Sequence, residues 1–195
     1  MGEISTAPTF RGRDRLIAAL DAATSLADTQ AITSALKQAL CAAISDPGIE
    51  LPGCVHHPVA GRYARRELYR SEQLGYSVIA MCWGPGQGTP LHDHSAMWCV
   101  EGVWRGELIV TPYALLERQD KRCRFAAQKR LYGERGSAGS LIPPHEYHTL
   151  RNASDTEIAV SLHVYQAPME RSTVFDPLED GWYQSRVHVL DTDAA

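Results

Sequence analysis

Apolar residues change their period once along this chain, near residue 50. Between Arg13 and Ile44 they recur at helical spacing: Leu16, Ile17, Leu20 and Ala23 share one face, and from about Thr29 so do Ile32, Leu36, Leu40 and Ile44. Two amphipathic helices are predicted, and a Leu/Ile stripe of this kind belongs to a core rather than to chemistry. SDPGIELPG (45–53) ends the helical region with its prolines and glycines. After Pro58 the apolar runs are short and bounded by turns. Strands are predicted over 62–69, 76–83, 97–103, 107–113, 123–131, 140–142, 147–151, 157–165 and 186–190. So many short strands indicate a sandwich or barrel. HPVAGRYARREL (57–68) is expected to supply an edge strand whose inward residues line the mouth of that barrel. Residues 1–12 have no period and are expected to fray. The expected organisation is a helical segment, 1–55, packed on a barrel, 56–195, within a single domain.

Composition narrows the function classes. With 195 residues, 44% of them hydrophobic, the chain can bury one sizeable core. The formal charge of −4 gives no basic footprint, so no nucleic-acid partner is expected. No window approaches the ~20 apolar residues of a membrane span, and the N-terminus lacks the apolar core of a signal peptide. No membrane partner is expected, and the expected location is the cytoplasm. The five cysteines (41, 54, 82, 99 and 123) show no CxxC and no framework spacing. That argues against a disulfide scaffold and fits a reducing compartment.

Chemistry concentrates in two stretches, GPGQGTPLHDHSAMWCVEGVWRG (84–106) and GSLIPPHEYHTLRN (139–152). His92 and His94 are two residues apart, so on an extended strand both imidazoles project from one face toward one metal ion. His148 is the expected third ligand, with His145 as the alternative. Three neutral imidazoles suit iron, copper, nickel or zinc. Tyr63 and Arg65 also share strand parity. Arg65 can grip a carboxylate through two parallel hydrogen bonds; the alternative is a surface salt bridge. Ser161, His163 and Tyr165 alternate through SLHVY and share a face. Buried, they would need hydrogen-bond partners; otherwise they form a solvent-facing polar strand.

Gly86, His92, His94 and Gly106 fall where the first cupin motif places its glycines and histidines, and Pro143, His148 and Asn152 match the second. Cys99 stands where that first motif has its metal-binding Glu, and His145 where the second has Gly. With RYARREL (62–68), CWGPGQGTPLHDH (82–94), HTLRNAS (148–154) and SLHVY (161–165), the chain resembles the cysteine dioxygenases and related thiol dioxygenases over roughly residues 60 to 185. The resemblance implies a mainly β fold, a cupin jelly-roll barrel with the N-terminal helices packed outside. It implies iron(II) on His92, His94 and His148, with a small thiol amino acid and dioxygen as reactants. Three histidines leave three positions on a six-coordinate ion, two for an aminothiol and one for dioxygen.

Further roles follow from the same resemblance. Arg65, with Tyr63, would bind the substrate carboxylate, and Arg rather than Gln at that place favours cysteine. Tyr165 would sit beside the iron, held by His163 within a chain that includes Ser161. In animal members the residues matching Cys99 and Tyr165 are joined by a thioether bond, so that crosslink is chemically possible here. Trp83 and Met97 are expected to pack around the pocket without chemistry, and His56, His57 and His188 to be ordinary loop or core residues. The implied reaction is oxidation of L-cysteine to cysteine sulfinic acid. The alternatives are a dioxygenase of 3-mercaptopropionate or mercaptosuccinate, and a non-catalytic cupin that binds or senses a small molecule.

Overall fold

The computed structural model describes residues 8–194; the first part of the expected frayed segment, residues 1–7, lies outside the described residues. Helices α1 (Arg13–Thr24) and α2 (Thr29–Ser45) form where the apolar period predicts them. The Asp28 carboxylate starts α2 by accepting a hydrogen bond from Ala31 N at 2.8 Å, which satisfies one of the N–H groups a helix start leaves without a partner. Leu16, Leu20, Leu36 and Leu40 are fully buried. Each such side chain contributes about 1.5–3 kcal/mol by leaving water, so the helices are anchored by their apolar stripes.

Twelve strands follow among the described residues: β1 (Ala64–Arg70), β2 (Ser77–Trp83), β3 (Leu91–His92), β4 (Cys99–Arg105), β5 (Glu107–Gln119), β6 (Arg122–Ala127), β7 (Leu131–Glu134), β8 (Ala138–Leu141), β9 (His148–Asn152), β10 (Ala159–Tyr165), β11 (Arg171–Pro177) and β12 (Tyr183–Val189). They pair antiparallel into a five-stranded sheet, β1-β2-β10-β4-β8, and a seven-stranded sheet, β6-β12-β11-β3-β9-β5-β7, with β6 also pairing to β5. The fold is mainly β, and β1 lies on a sheet edge as RYARREL suggested. The expectation did not include β3, β7 or β11. A two-residue strand between Pro90 and a turn has no period to read, and the RST opening of β11 hides a strand buried on both faces, Ser172 and Val174 toward the cavity and Phe175 on the other side.

Strands β2 and β10 are buried at every position because the five-stranded sheet is covered on both faces. Period 2 divides the coverage. Val78, Ala80, Cys82, Val100, Val160, Leu162 and Val164 pack with α1 and α2. Ile79, Met81, Trp83, Cys99, Val103 and Tyr165 face the barrel interior with Leu108 and Leu150. The polar face of SLHVY therefore points into the barrel. Its alternative reading as a solvent-facing strand does not hold: Ser161, His163 and Tyr165 are all buried.

Candidate metal centre and its cavity

Strand β3 is what brings the histidines together. It is held between β11 and β9, with His92 opposite Val174 on one side and opposite His148 on the other. The intervening Asp93 fixes the turn that follows: its Oδ1 accepts from Thr173 N at 2.8 Å and Ser95 N at 3.1 Å, and its own N–H donates to Thr173 O. Ser95 and Ala96 then adopt φ of 53° and 61°, which L residues rarely do, and the chain turns toward β4. The motif glycine Gly106 has φ 74°, and a Cβ there would meet Ala159 and Ile158 O at 3.0 Å. Only glycine suits that position.

One potential ligand atom from each of His92, His94 and His148 lies within 4.8 Å of the others. His148 Nδ1 contacts Glu146 O at 2.8 Å and His92 Nδ1 contacts Pro90 O at 3.1 Å. A carbonyl only accepts, so both Nδ1 atoms carry the proton and both Nε2 lone pairs are free. Nε2 of His148 is buried with no hydrogen-bond partner among the described residues. Burial holds all three imidazoles below the usual histidine range, His94 and His148 well below it. Neutral imidazoles are what a metal ion requires. His145, the alternative third ligand, is exposed and lines a different cavity.

The cluster opens into a cavity of about 400 Å³ whose walls include Tyr63, Arg65, His163, Tyr165, Arg186 and His188. His188, expected to be an ordinary loop or core residue, lies on this wall and outside the histidine cluster. Arg65 is buried. Its NH1 donates to Asp191 O at 3.2 Å and its NH2 to Met169 O at 3.3 Å, while Nε has no partner among the described residues. The expected alternative, a surface salt bridge, is not what Arg65 makes. Tyr63 stacks on Trp83 with ring centroids 4.7 Å apart.

Beside the histidines, Trp83 Nε1 donates to Ser161 Oγ at 2.9 Å, and Ser161 Oγ lies 2.8 Å from His163 Nε2. His163 Nδ1 is 3.4 Å from Glu101 Oε2 and 4.0 Å from Cys99 Sγ. The chain through Ser161 and His163 therefore ends at Trp83 and Glu101, and no hydrogen bond joins His163 to Tyr165; their rings lie 6.0 Å apart, nearly parallel. Burial pushes the His163 pKa down to about 3 and raises the Cys99 thiol and Tyr165 hydroxyl well above their ordinary values. Cys99 is fully buried and does not line the cavity. Tyr165 does, with its ring 5.9 Å from that of His94.

The profile of the family described as cysteine dioxygenase type I matches residues 60–177. The chain belongs to that family. It is 28% identical over 101 residues to cysteine dioxygenase type 1 of Homo sapiens, covering 52% of this chain and 50% of that protein. It is 31% identical over 102 residues to the Rattus norvegicus protein of the same name, with the same coverage. The match thus spans about half the length of these relatives. Among solved structures, TT1209 from Thermus thermophilus is 22% identical, with a TM-score of 0.45 over 62% of this chain and 96% of that one. No helix among the described residues is long and apolar enough to cross a membrane.

Sequence reading missed three contributors. Trp83 hydrogen-bonds the serine instead of merely packing. Glu101 stands two residues after Cys99, so strand parity alone places it on the inner face. The C-terminal residues that frame Arg65 carry no pattern that announces them.

Proposed function

We propose that this protein is an iron(II)-dependent thiol dioxygenase that converts L-cysteine and dioxygen to cysteine sulfinic acid. The observation that carries the reading is Arg65, a buried guanidinium without a carboxylate partner among the described residues, sharing one cavity with three metal-competent histidines. A buried cation without an anion is costly. A substrate carboxylate relieves that cost through charge-assisted hydrogen bonds.

The donor set fits a metal, because His148 leaves a buried lone pair without a partner. His92, His94 and His148 would hold the ion, whose chemistry when bound is to activate dioxygen and to favour the substrate sulfur as thiolate. Arg65, steadied by Asp191 O and Met169 O, orients the carboxylate. Tyr63 packs beside it against Trp83. Tyr165 presents its neutral hydroxyl to the cavity as a donor near the reacting sulfur, and Ser161 and His163 stiffen the strand that carries it. The cavity is at the small end for ligand sites, in keeping with a substrate the size of an amino acid.

Arg186 and His188 favour a second reading, a dioxygenase of a thiol with a further carboxylate such as mercaptosuccinate, because both line the same wall. Arg186 is already engaged by Asp176, which ranks that substrate below cysteine, and 3-mercaptopropionate lacks the amine for two-point binding. Oxygen uptake by iron-loaded protein with L-cysteine, 3-mercaptopropionate and mercaptosuccinate side by side tests the proposal. Uptake with L-cysteine, and cysteine sulfinic acid as product, are expected. Uptake with none would favour a non-catalytic cupin and overturn the reading.

A further inference from the structure

We infer that Glu101 is a positioning residue for His163, selecting the Nδ1–H tautomer of the imidazole and so the direction of the hydrogen-bond chain through Ser161. The inference rests on the proposed function only in treating His163 as part of the active site. Trp83 Nε1 can only donate, so Ser161 Oγ must accept from it. Among the described residues the serine hydroxyl has one acceptor to donate to, His163 Nε2 at 2.8 Å. Its proton is satisfied only if Nε2 is bare and Nδ1 carries the hydrogen. That hydrogen has two acceptors within reach, Glu101 Oε2 at 3.4 Å and Cys99 Sγ at 4.0 Å. A carboxylate is much the stronger acceptor, even at a separation longer than an ordinary N–H···O bond.

Glu101 also faces a second cavity, of about 310 Å³, on the β5–β8 side of the barrel. Oε2 is buried with no well-formed hydrogen bond, and the side chain is 12% exposed. The carboxyl group thus separates the His163 chain from a route by which protons reach it. Burial raises its pKa to about 7. Facing it are Cys99 on its own strand and His163 and Tyr165 on β10, all neutral near that pH; Gly139 lies opposite on β8, and His145 and Tyr132 line the cavity. Above neutrality the carboxylate attracts Nδ1–H. Below it the protonated acid donates to Nδ1 instead, and the imidazole proton moves to Nε2 without the ring becoming charged.

Long-range ¹⁵N–¹H NMR of metal-free, ¹⁵N-histidine-labelled protein tests this independently of turnover, with the His163 signal assigned by its loss in His163→Gln. The wild type should show Nδ1–H at alkaline pH and shift toward Nε2–H as pH falls through about 7. Glu101→Leu should populate Nε2–H at alkaline pH, and Glu101→Gln, which cannot ionise, should lose the pH dependence. A folded Glu101→Leu that keeps wild-type Nδ1–H overturns the inference. So does a Glu101→Gln whose His163 signal still moves through neutral pH, and this arm stands even if the leucine variant does not fold. Oxygen uptake by Glu101→Leu should fall roughly tenfold in kcat with KM little changed. Absence of uptake by the wild type defeats the functional reading and leaves the tautomer result intact.

Discussion

Tyr165 lies directly opposite Cys99 across the antiparallel β10–β4 pair, with both side chains on the inner face of the five-stranded sheet. Opposed residues have Cβ atoms about 4.5–5.5 Å apart, so sulfur and phenol ring are neighbours by register alone. A thioether between them requires loss of the thiol hydrogen and one ring hydrogen, a two-electron oxidation for which dioxygen is the oxidant. Peptide mass spectrometry after turnover should find a loss of two hydrogens mapped to the peptides bearing both residues. Cys99→Gly should stay active but slower, since Tyr165 is already confined by burial. Only free Cys99 after many turnovers, with Cys99→Gly at full activity, would remove this cysteine from the mechanism.

Much of that arrangement was legible because strand parity is a local rule. His92 and His94, Tyr63 and Arg65, and Ser161, His163 and Tyr165 each needed only spacing by two. Which strands neighbour one another was not legible. The contact of Glu101 with His163 depends on β4 pairing with β10 in one register, and the frame around Arg65 joins residues 65 and 191, far apart in sequence. The helices were readable because their apolar stripe is long, whereas β3 is too short to carry a pattern and acquires its conformation from β9 and β11.

His148 should be indispensable for metal binding and His145 dispensable. His148 pairs with His92 across β9 and β3, while His145 is exposed at the other cavity. His148→Ala should lose stoichiometric iron, measured by elemental analysis after reconstitution, and His145→Ala should retain it. The reverse result would mean that the ion sits elsewhere.

Arg65→Ala should lower kcat/KM for L-cysteine. A hydrogen bond to a charged group is worth about 1.5–3 kcal/mol, which corresponds to roughly a 10- to 100-fold loss. Cysteamine, which has no carboxylate, should be oxidised equally well by both proteins. An equal loss with both thiols would point to damage of the cavity rather than a missing carboxylate contact.

Asp193 should hold the C-terminal segment over Arg65 in a pH-dependent way. Its carboxylate accepts from Arg62 NH1 and from Arg65 N, both at 2.9 Å, and its N–H donates to Arg65 O. The hydrogen bond from Arg62 draws its pKa down to about 2. The folded value is below the ~3.9 of an unperturbed aspartate, so the clamp contributes stability above about pH 4 and loses it as pH falls toward 2. The Arg62 side chain is about half exposed, so solvent screens the pair and keeps the contribution small. Asp193→Asn should therefore be slightly less stable in denaturant titrations near neutral pH, and the gap should close progressively as the pH falls from about 4 toward 2. It should also raise KM for L-cysteine, because Asp191 O, which accepts from Arg65, lies in the same segment. A stability gap that stays constant as the solution is acidified would show that the carboxylate charge is not what holds the segment. An unchanged KM would show that Arg65 keeps its orientation without it.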